Sequence, residues 1–209
     1  MADRTGDARA AILSRIGAAN RDADAGLRRA EYEAIAREYR QRPSMERPEI
    51  LKLFTERLRD YDAQVHGATQ TTVGRVISEV AQHAIIAQGF PQQWLPESCD
   101  WRWEADADLE NLNSTVVAIA ACEAAIAHTG TVILRDVRKL TLLPDRLLCV
   151  VREDQVFETV PEAIERLQPF AATALTFISG PSATADIEMT RIRGVHGPRF
   201  LDVLLVENG

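Results

Sequence analysis

The spacing of apolar residues divides the chain into a helical part and a part in which strands and helices alternate. Within residues 1–60, apolar side chains recur every three or four positions, as on one face of a helix. The three series are Ala8, Ile12, Leu13 and Ile16, then Tyr32, Ile35, Ala36 and Tyr39, then Ile50, Leu51, Phe54 and Leu58. Pro48 suits the first turn of the third helix. We therefore predict an N-terminal helical extension over residues 1–60.

From residue 61 onward, short apolar runs are separated by turn residues and short amphipathic segments. The predicted strands are 63–66, 84–87, 115–121, 130–134, 147–151, 175–179 and 201–206, and the predicted helices are 73–80, 122–127 and 161–167. Runs that are apolar throughout are typical of parallel strands buried on both faces. The pattern predicts one α/β domain over residues 61–209 with a mainly parallel sheet. Ligands of such sheets bind beyond the carboxyl ends of the strands.

Composition and charge narrow the functional classes. The 209 residues are 46% hydrophobic and 26% charged, which is typical of a globular protein. A net charge of -7 argues against nucleic acid as the main partner, because binding to phosphate backbones needs basic surface. The chain has no apolar stretch of about 18 residues, so we expect no membrane span. The first residues lack the apolar core of a signal peptide, which favours the cytoplasm.

The cysteines are too far apart in sequence to suggest a cofactor. Cys99, Cys122 and Cys149 form no CxxC or CxxxC pair, so we predict no iron–sulfur cluster, zinc ribbon or other cofactor in this chain. Cys122 and Cys149 lie in apolar surroundings and are expected to be buried, inert thiols. The sequence also lacks the GxGxxG, GxxxxGK[ST] and GxSxG motifs of nucleotide-binding and hydrolase sites.

The densest group of chemically active residues lies between positions 176 and 198. An apolar run ends at Gly180-Pro181 and is followed by two hydroxyls, two acids and a second turn with a histidine. In order these residues are Ser182, Thr184, Asp186, Glu188, Gly194, His196, Gly197 and Pro198. A strand that passes through a small-residue turn into a helix start leaves backbone N–H groups free to bind an anion. An ordinary helix cap with matching acids is the alternative interpretation.

A second candidate segment runs from Glu123 to Thr131. It contains Thr129-Gly130-Thr131, where glycine permits a positive φ or a close ligand approach. The acid–base candidates of the two segments are His196, Asp186, Glu188 and Glu123. No standard metal-ligand spacing occurs around His196, so we predict no metal site.

Several motifs of the C-terminal half together resemble a known family. They are Ala125-Ile-Ala127 with Thr129-Gly-Thr131, Leu140-Thr-Leu-Leu-Pro144, Ile178-Ser-Gly-Pro-Ser182 with Thr184-Ala-Asp-Ile-Glu188, and Gly194-Val-His-Gly-Pro198. In these residues the chain is similar to the LUD domain, specifically the lactate-utilization protein C family. The chain departs from the family pattern at His128, Ala183 and Arg146.

The resemblance implies a three-layer α/β/α fold like that of sugar isomerases and CoA transferases. It also implies a part, with two iron–sulfur partner proteins, in the oxidation of L-lactate to pyruvate. The leading hypothesis is therefore a subunit without its own cluster that binds a small anionic metabolite. The predicted ligand-binding residues are Thr129, Gly130, Thr131, Gly180, Pro181, Ser182, Thr184, Gly194 and Gly197.

Two other functions fit the same residues. The chain is alternatively a free-standing isomerase-like or transferase-like enzyme acting on a phosphorylated or acyl small molecule. The third hypothesis is a non-catalytic interaction module. The fold by itself does not separate these hypotheses.

Overall fold

The computed structural model describes residues 4–19, 25–40, 42–108, 117–185, 191–194 and 196–208. The chain divides into two compact units, Met1–Tyr39 and Arg40–Gly209. In chain order its helices are α1 (Arg4–Ala19), α2 (Ala25–Glu33), α3 (Arg47–Asp60), α4 (Val73–Val80) and α5 (Val160–Leu167). None of the described helices is long and apolar enough to cross a bilayer.

The smaller unit contains α1 and α2. The apolar series of α1, which includes Ile12 and Ile16, is exposed. Helix α2 ends at Glu33, whereas the predicted periodicity continued to Tyr39. At this end the guanidinium of Arg37 donates hydrogen bonds to the carbonyl oxygens of Ile35 at 3.0 Å and Tyr32 at 3.1 Å. A basic side chain that binds the freed carbonyls is a common way to end a helix.

The larger unit is built on a parallel sheet. The described strands, in chain order, are β1 (Gln64–Ala68), β2 (His83–Ile86), β3 (Asp100–Trp103), β4 (Val117–Ala121), β5 (Ala124–Ile126), β6 (Thr131–Arg135), β7 (Arg146–Arg152), β8 (Val156–Phe157), β9 (Leu175–Ile178), β10 (Ala183–Ala185), β11 (Arg191–Arg193) and β12 (Phe200–Val206). Six of them form the main sheet in the order β1-β12-β7-β4-β2-β3, and each neighbouring pair is parallel. The prediction of an α/β fold with a mainly parallel sheet is confirmed.

A second, smaller sheet has the order β8-β5-β6-β9. Strand β5 pairs antiparallel with β6 and parallel with β8, and β9 is antiparallel to β6. The predicted helix over 122–127 is therefore wrong, because its centre forms β5. The predicted helix start at Ser182 or Thr184 is also wrong. Residues 183–185 form β10, which pairs with β11 as a hairpin.

The main sheet is covered on both faces. Helix α4 packs on one face, where Val73 and Ile77 join the apolar side chains of the sheet. The other face packs against the second sheet and α3, whose Ile50, Phe54 and Leu58 are buried. Helix α5 covers the far side of the second sheet. These layers bring the second sheet close to the ends of the parallel strands.

Helix α3 belongs to the α/β unit rather than to an extension. The compact unit begins at Arg40, whereas the sequence pattern placed the boundary at residue 61. Pro48 lies in the first turn of this helix, as predicted. The Glu49 carboxylate accepts a hydrogen bond from the Glu46 N–H at 3.2 Å. Such reciprocal capping satisfies N–H groups that the first turn leaves unpaired.

Candidate functional site

The turn before β6 and the turn after β9 are neighbours, because these two strands are antiparallel. The Thr131 hydroxyl links the two turns. Its Oγ1 lies 2.6 Å from Oγ1 of Thr129 and 2.7 Å from Oγ of Ser179. Thr131 is buried, whereas Thr129 and Ser179 are exposed, so the chain of three hydroxyls has a buried centre and two exposed ends.

Both turns contain a glycine that packs against the end of α3. Gly130 has φ +57° and Gly180 has φ +88°, a conformation that other residues rarely adopt. A Cβ at Gly130 would lie 2.8 Å from the carbonyl carbon of Arg57, and one at Gly180 would lie 2.7 Å from Cβ of Tyr61. The two glycines therefore allow both turns to reach the end of the helix.

The Gly194–Pro198 turn is joined to Ser182 by three hydrogen bonds. The Ser182 N–H donates to the Pro198 carbonyl at 2.9 Å, and the Gly194 N–H donates to the Ser182 carbonyl at 2.9 Å. The His196 N–H donates to Oγ of Ser182 at 3.3 Å. The structure thus brings together Thr129–Thr131, Gly180–Ser182 and Gly194–Pro198, the three segments singled out in the sequence.

These contacts bear on the anion site that the sequence predicts. The N–H groups of Ser182, Gly194 and His196 already donate to acceptors within the protein. The N–H of Gly130 donates to the Ala127 carbonyl at 3.3 Å. The backbone cradle expected from the sequence is therefore not provided by these four groups. The predicted anion would therefore depend on side chains rather than on these N–H groups.

A cavity of about 320 Å³ lies beside the joined turns, and we call it the hydroxyl cavity. The polar side chains that line it are Arg138, Thr141, Thr176, Ser179, Ser182 and His196. Leu147 and Leu201, near the amino ends of β7 and β12, complete its wall. The sequence pattern placed the site at the carboxyl ends of the parallel strands, but the hydroxyl cavity lies at their amino ends. The difference arises because Ser179 follows β9, and β9 belongs to the second sheet rather than to the main parallel sheet.

A second, more open cavity of about 540 Å³ lies on the other side of Ser179. Ser179 and Thr129 line it, together with His128 and, from the end of α3, Arg57 and Tyr61. The hydroxyl chain through Thr131 therefore ends at a residue shared by both cavities.

Arg138 is the cationic residue that the sequence interpretation missed. It is exposed, lines the hydroxyl cavity and forms no ion pair with a carboxylate in the described part of the chain. A guanidinium is the usual bidentate partner of a carboxylate. Its position two residues before the Leu140–Pro144 motif was the available signal. Arg146, one of the departures from the family pattern, does not line this cavity.

Arg146 belongs to a cluster on the opposite face of the main sheet. It donates a hydrogen bond to Oδ2 of Asp202 at 2.8 Å, and Nε2 of His66 lies 2.8 Å from Oδ1 of the same carboxylate. Asp202 is 1% exposed, and these two partners satisfy both oxygens of its buried carboxylate. Leu201 and Val203 face the second sheet, and alternation along the strand places Asp202 on the α4 face.

Some predicted site residues lie elsewhere. Glu123 forms an ion pair with Arg135 at 2.7 Å, at the end of β6 that is about 13 Å from Thr131. Thr184 lies on β10. Asp186 and Glu188 lie outside the described residues. Within the ranges that the structure describes, no group of three or more His, Cys, Asp or Glu side chains could hold a metal ion.

A buried carboxylate fixes the segment next to the second cavity. Glu158 is fully buried and accepts hydrogen bonds from the N–H groups of Ser44 at 2.6 Å and Met45 at 3.0 Å. It also pairs with Arg40, and Nε2 of His128 lies 3.7 Å away. Burial alone would raise the pKa of Glu158, but the hydrogen bonds and the charge of Arg40 together lower it below the usual value.

Comparison with known proteins identifies a family and several relatives of this chain. The sequence model of the LUD domain matches residues 45–206. A Deinococcus radiodurans protein named lactate utilization protein C is 38% identical over 173 residues, which cover 78% of this chain and 82% of that protein. A Bacillus subtilis protein of the same name is 29% identical over 168 residues, covering 71% and 69%.

A solved structure shares the fold. The crystal structure of a DUF162 family protein from Deinococcus radiodurans superposes with a TM-score of 0.67 at 32% identity, covering 78% of this chain and 99% of that one. The matched family region begins close to Arg40, where the compact unit starts.

Proposed function

Because this chain belongs to the LUD domain family, we propose that it takes part in lactate utilization as a subunit without its own iron–sulfur cluster. The observation that carries the proposal is the 38% identity to a protein named lactate utilization protein C over most of both chains. In this proposal iron–sulfur partner proteins carry the electrons, and this chain supplies a carboxylate-binding site beside them. The three free cysteines fit the reducing cytoplasm.

The hydroxyl cavity supports a small carboxylate as the ligand. Arg138 supplies a guanidinium for the carboxylate, and the hydroxyls of Thr141 and Ser179 can donate or accept hydrogen bonds. His196 lines the same cavity. A volume of about 320 Å³ is ample for L-lactate or pyruvate together with ordered water. We place the bound carboxylate at Arg138 and the 2-hydroxyl or 2-oxo group of the ligand toward the protein hydroxyls.

Calorimetry with L-lactate and pyruvate tests the site. Arg138→Ala should weaken binding of either anion by roughly 10-fold to 100-fold, because hydrogen bonds to charged groups contribute about 1.5–3 kcal/mol each. Arg166→Ala is the matched control, since it removes the same charge from an exposed position on α5. Equal affinity of the two variants would rule out Arg138 as the carboxylate partner.

The proposed role is tested in the host cell. A strain without the gene should fail to grow on L-lactate and should grow normally on a sugar, and the wild-type gene should restore growth. A tagged chain should capture partner proteins that contain iron and acid-labile sulfide. Normal growth of the deletion strain on L-lactate would contradict the role in lactate utilization, whatever the binding experiment gives.

A further inference from the structure

A third cavity lies at the opposite edge of the main sheet from the hydroxyl cavity. Its volume is about 360 Å³, and it adjoins the carboxyl ends of β2 and β3, so we call it the carboxyl-edge cavity. It is lined by Gln88, Gly89, Phe90, Gln92, Trp103 and Asp106. The carboxyl edge is where open parallel sheets usually bind small molecules. None of the segments discussed above reaches this cavity.

The aromatic wall of this cavity is held in place by neighbouring side chains. The Phe90 ring meets the Trp94 ring edge to face, with centroids 6.1 Å apart and an interplanar angle of 71°. Trp94 in turn donates its indole N–H to Oε1 of Gln70 at 3.3 Å. Phe90 is 3% exposed. A wall fixed in this way loses little side-chain freedom when a ligand binds.

The three tryptophans of the chain differ in what their indole N–H groups do. Trp94 donates to Gln70, and Trp101 donates to the Pro96 carbonyl at 2.8 Å. Trp103 lines the cavity, and its N–H has no hydrogen-bond partner among the residues that the structure describes. Trp103 therefore brings to the cavity wall an aromatic ring and a donor that no described residue uses.

Gly89 lines the cavity at a point where the backbone faces open space. It has φ +77°, and a Cβ built there would meet no atom within 4 Å. Close packing therefore does not explain glycine at this position, in contrast to Gly130 and Gly180. The adjacent backbone is free for a ligand to approach.

The chemistry of the lining fits a nucleoside. Side-chain amides such as those of Gln88 and Gln92 pair with the N6 and N7 atoms of adenine, and bases stack on aromatic rings. A carboxylate at the carboxyl edge of a parallel sheet is a typical partner of ribose hydroxyls. Asp106 also places negative charge at the cavity, which disfavours a phosphate group. We propose that the carboxyl-edge cavity binds a neutral purine nucleoside.

Calorimetric titration of the full chain with adenosine tests this inference. Trp103→Ala should weaken adenosine binding about 10-fold, through loss of stacking. Gln92→Ala should weaken it by a similar factor, whereas Gln93→Ala should leave it unchanged. Gln92 and Gln93 are consecutive exposed residues of one short helical turn, and only Gln92 lines the cavity. The thermal unfolding curve of each variant confirms that it is folded.

A comparison with adenosine monophosphate tests the charge argument. Wild-type protein should bind the nucleotide more weakly than adenosine, and Asp106→Asn should reduce that difference. The inference is overturned if adenosine does not bind saturably, if glucose binds as well as adenosine, or if Gln92→Ala and Gln93→Ala behave alike. Binding of L-lactate should be unaffected by Gln92→Ala, so this test does not depend on the proposed role in lactate utilization.

Discussion

Gly180 and Gly89 both have a positive φ, but only Gly180 is closely packed. Backbone conformation favours glycine at both positions, and packing favours it only at Gly180. At Gly89 a side chain would meet only open space, so an alanine carries the backbone strain alone. At Gly180 the same strain is joined by a contact of 2.7 Å with Cβ of Tyr61. The φ angle alone does not predict how well a turn tolerates substitution.

We expect Gly180→Ala to lower the free energy of unfolding by about 3 kcal/mol. Left-handed backbone costs an L-residue about 1–2 kcal/mol, and forced overlap in a packed region adds about 1–3 kcal/mol. Gly89→Ala, the control, should lower it by only about 1 kcal/mol. Urea unfolding of both variants measures the difference. If the two lose the same stability, the packing of the turn on α3 is not important.

Glu158 makes folding stability depend on pH. Its pKa is lower in the folded protein than in the unfolded chain, so the unfolded chain binds more protons at acidic pH. The stabilisation is fully present above the unfolded pKa of about 4.3 and is lost as the pH falls through the folded pKa. Glu158→Gln should reduce stability at neutral pH by about 2 kcal/mol, because hydrogen bonds to a charged group are lost.

The pH profile distinguishes this role from a general loss of packing. Between about pH 3 and 6, the stability of Glu158→Gln should change less steeply than that of the wild type. Glu165→Gln, an exposed position on α5, should reproduce the wild-type slope. Thermal unfolding across this range gives both slopes. An unchanged slope in Glu158→Gln would show that its carboxylate does not titrate differently in the two states.

At the scale of elements, the reactivity of the cysteines depends on the packing of the two sheets, because Cys122 and Cys149 are buried in the core between them. Burial raises the pKa of Cys122 to about 12 and that of Cys149 well above its usual value. The Cys122 thiol donates to the Ala124 carbonyl at 2.8 Å. Cys99 is partly exposed. Because the thiolate is the reactive form, the two core cysteines should react slowly while the sheets stay together.

Titration with a disulfide reagent should therefore detect one fast thiol in the folded protein and three in denaturant. Cys99→Ser should remove the fast reaction while leaving two thiols that react after unfolding. Rapid reaction of two or more thiols in the folded wild type would show that the layer between the sheets opens readily.

Elements that are apolar throughout could be predicted from the sequence, and elements defined by distant pairing could not. Strand β7 has five consecutive apolar residues between two arginines, and β12 is apolar except for Asp202, so their local pattern was sufficient. Strand β5 is three residues of alanine and isoleucine, which suit a short helix equally well. Its pairing with β8, about thirty residues later in the chain, decides its conformation.

The same distinction applies to the candidate site. Residues of the turns at Gly130, Gly180 and Gly194 were all predicted to bind the ligand, because glycines and hydroxyls at strand ends are visible in the sequence. Arg138 was missed, because its position just before the Leu140–Pro144 motif does not by itself show that its side chain lines a cavity. The helix start expected after Pro181 was wrong, because Thr184 lies on β10 of the β10–β11 hairpin and Ser182 comes directly before that strand. Local residue types did not reveal that pairing.

At the scale of the molecule, there is one cavity at the amino ends and one at the carboxyl ends of the parallel strands. The hydroxyl cavity lies at the amino ends of β7 and β12, where the second sheet adds Thr176 and Ser179. The carboxyl-edge cavity lies beyond β2 and β3. Of these two locations, only that of the carboxyl-edge cavity is expected from a parallel sheet alone. The hydroxyl cavity depends on β9, which belongs to the second sheet and not to the parallel sheet.

The extent of the folding unit leads to the last prediction. Three side chains of α3 belong to the core, namely Ile50, Phe54 and Leu58, and they are 5%, 0% and 0% exposed. Arg40, Ser44 and Met45 surround the buried Glu158. A chain that starts at Arg40 keeps all of these contacts, whereas one that starts at residue 61 loses them and leaves a buried carboxylate without its main partners.

We therefore expect the chain 40–209 to unfold cooperatively at nearly the temperature of the full chain. The chain 61–209 should be insoluble or lack a cooperative transition, because truncating even one large core side chain costs about 2–5 kcal/mol and total stability is about 5–15 kcal/mol. Calorimetry of the two fragments beside the full chain makes the comparison. A cooperative transition in 61–209 would support the domain boundary at residue 61 that the apolar pattern predicted. It would show that α3 is not needed for the α/β unit to fold.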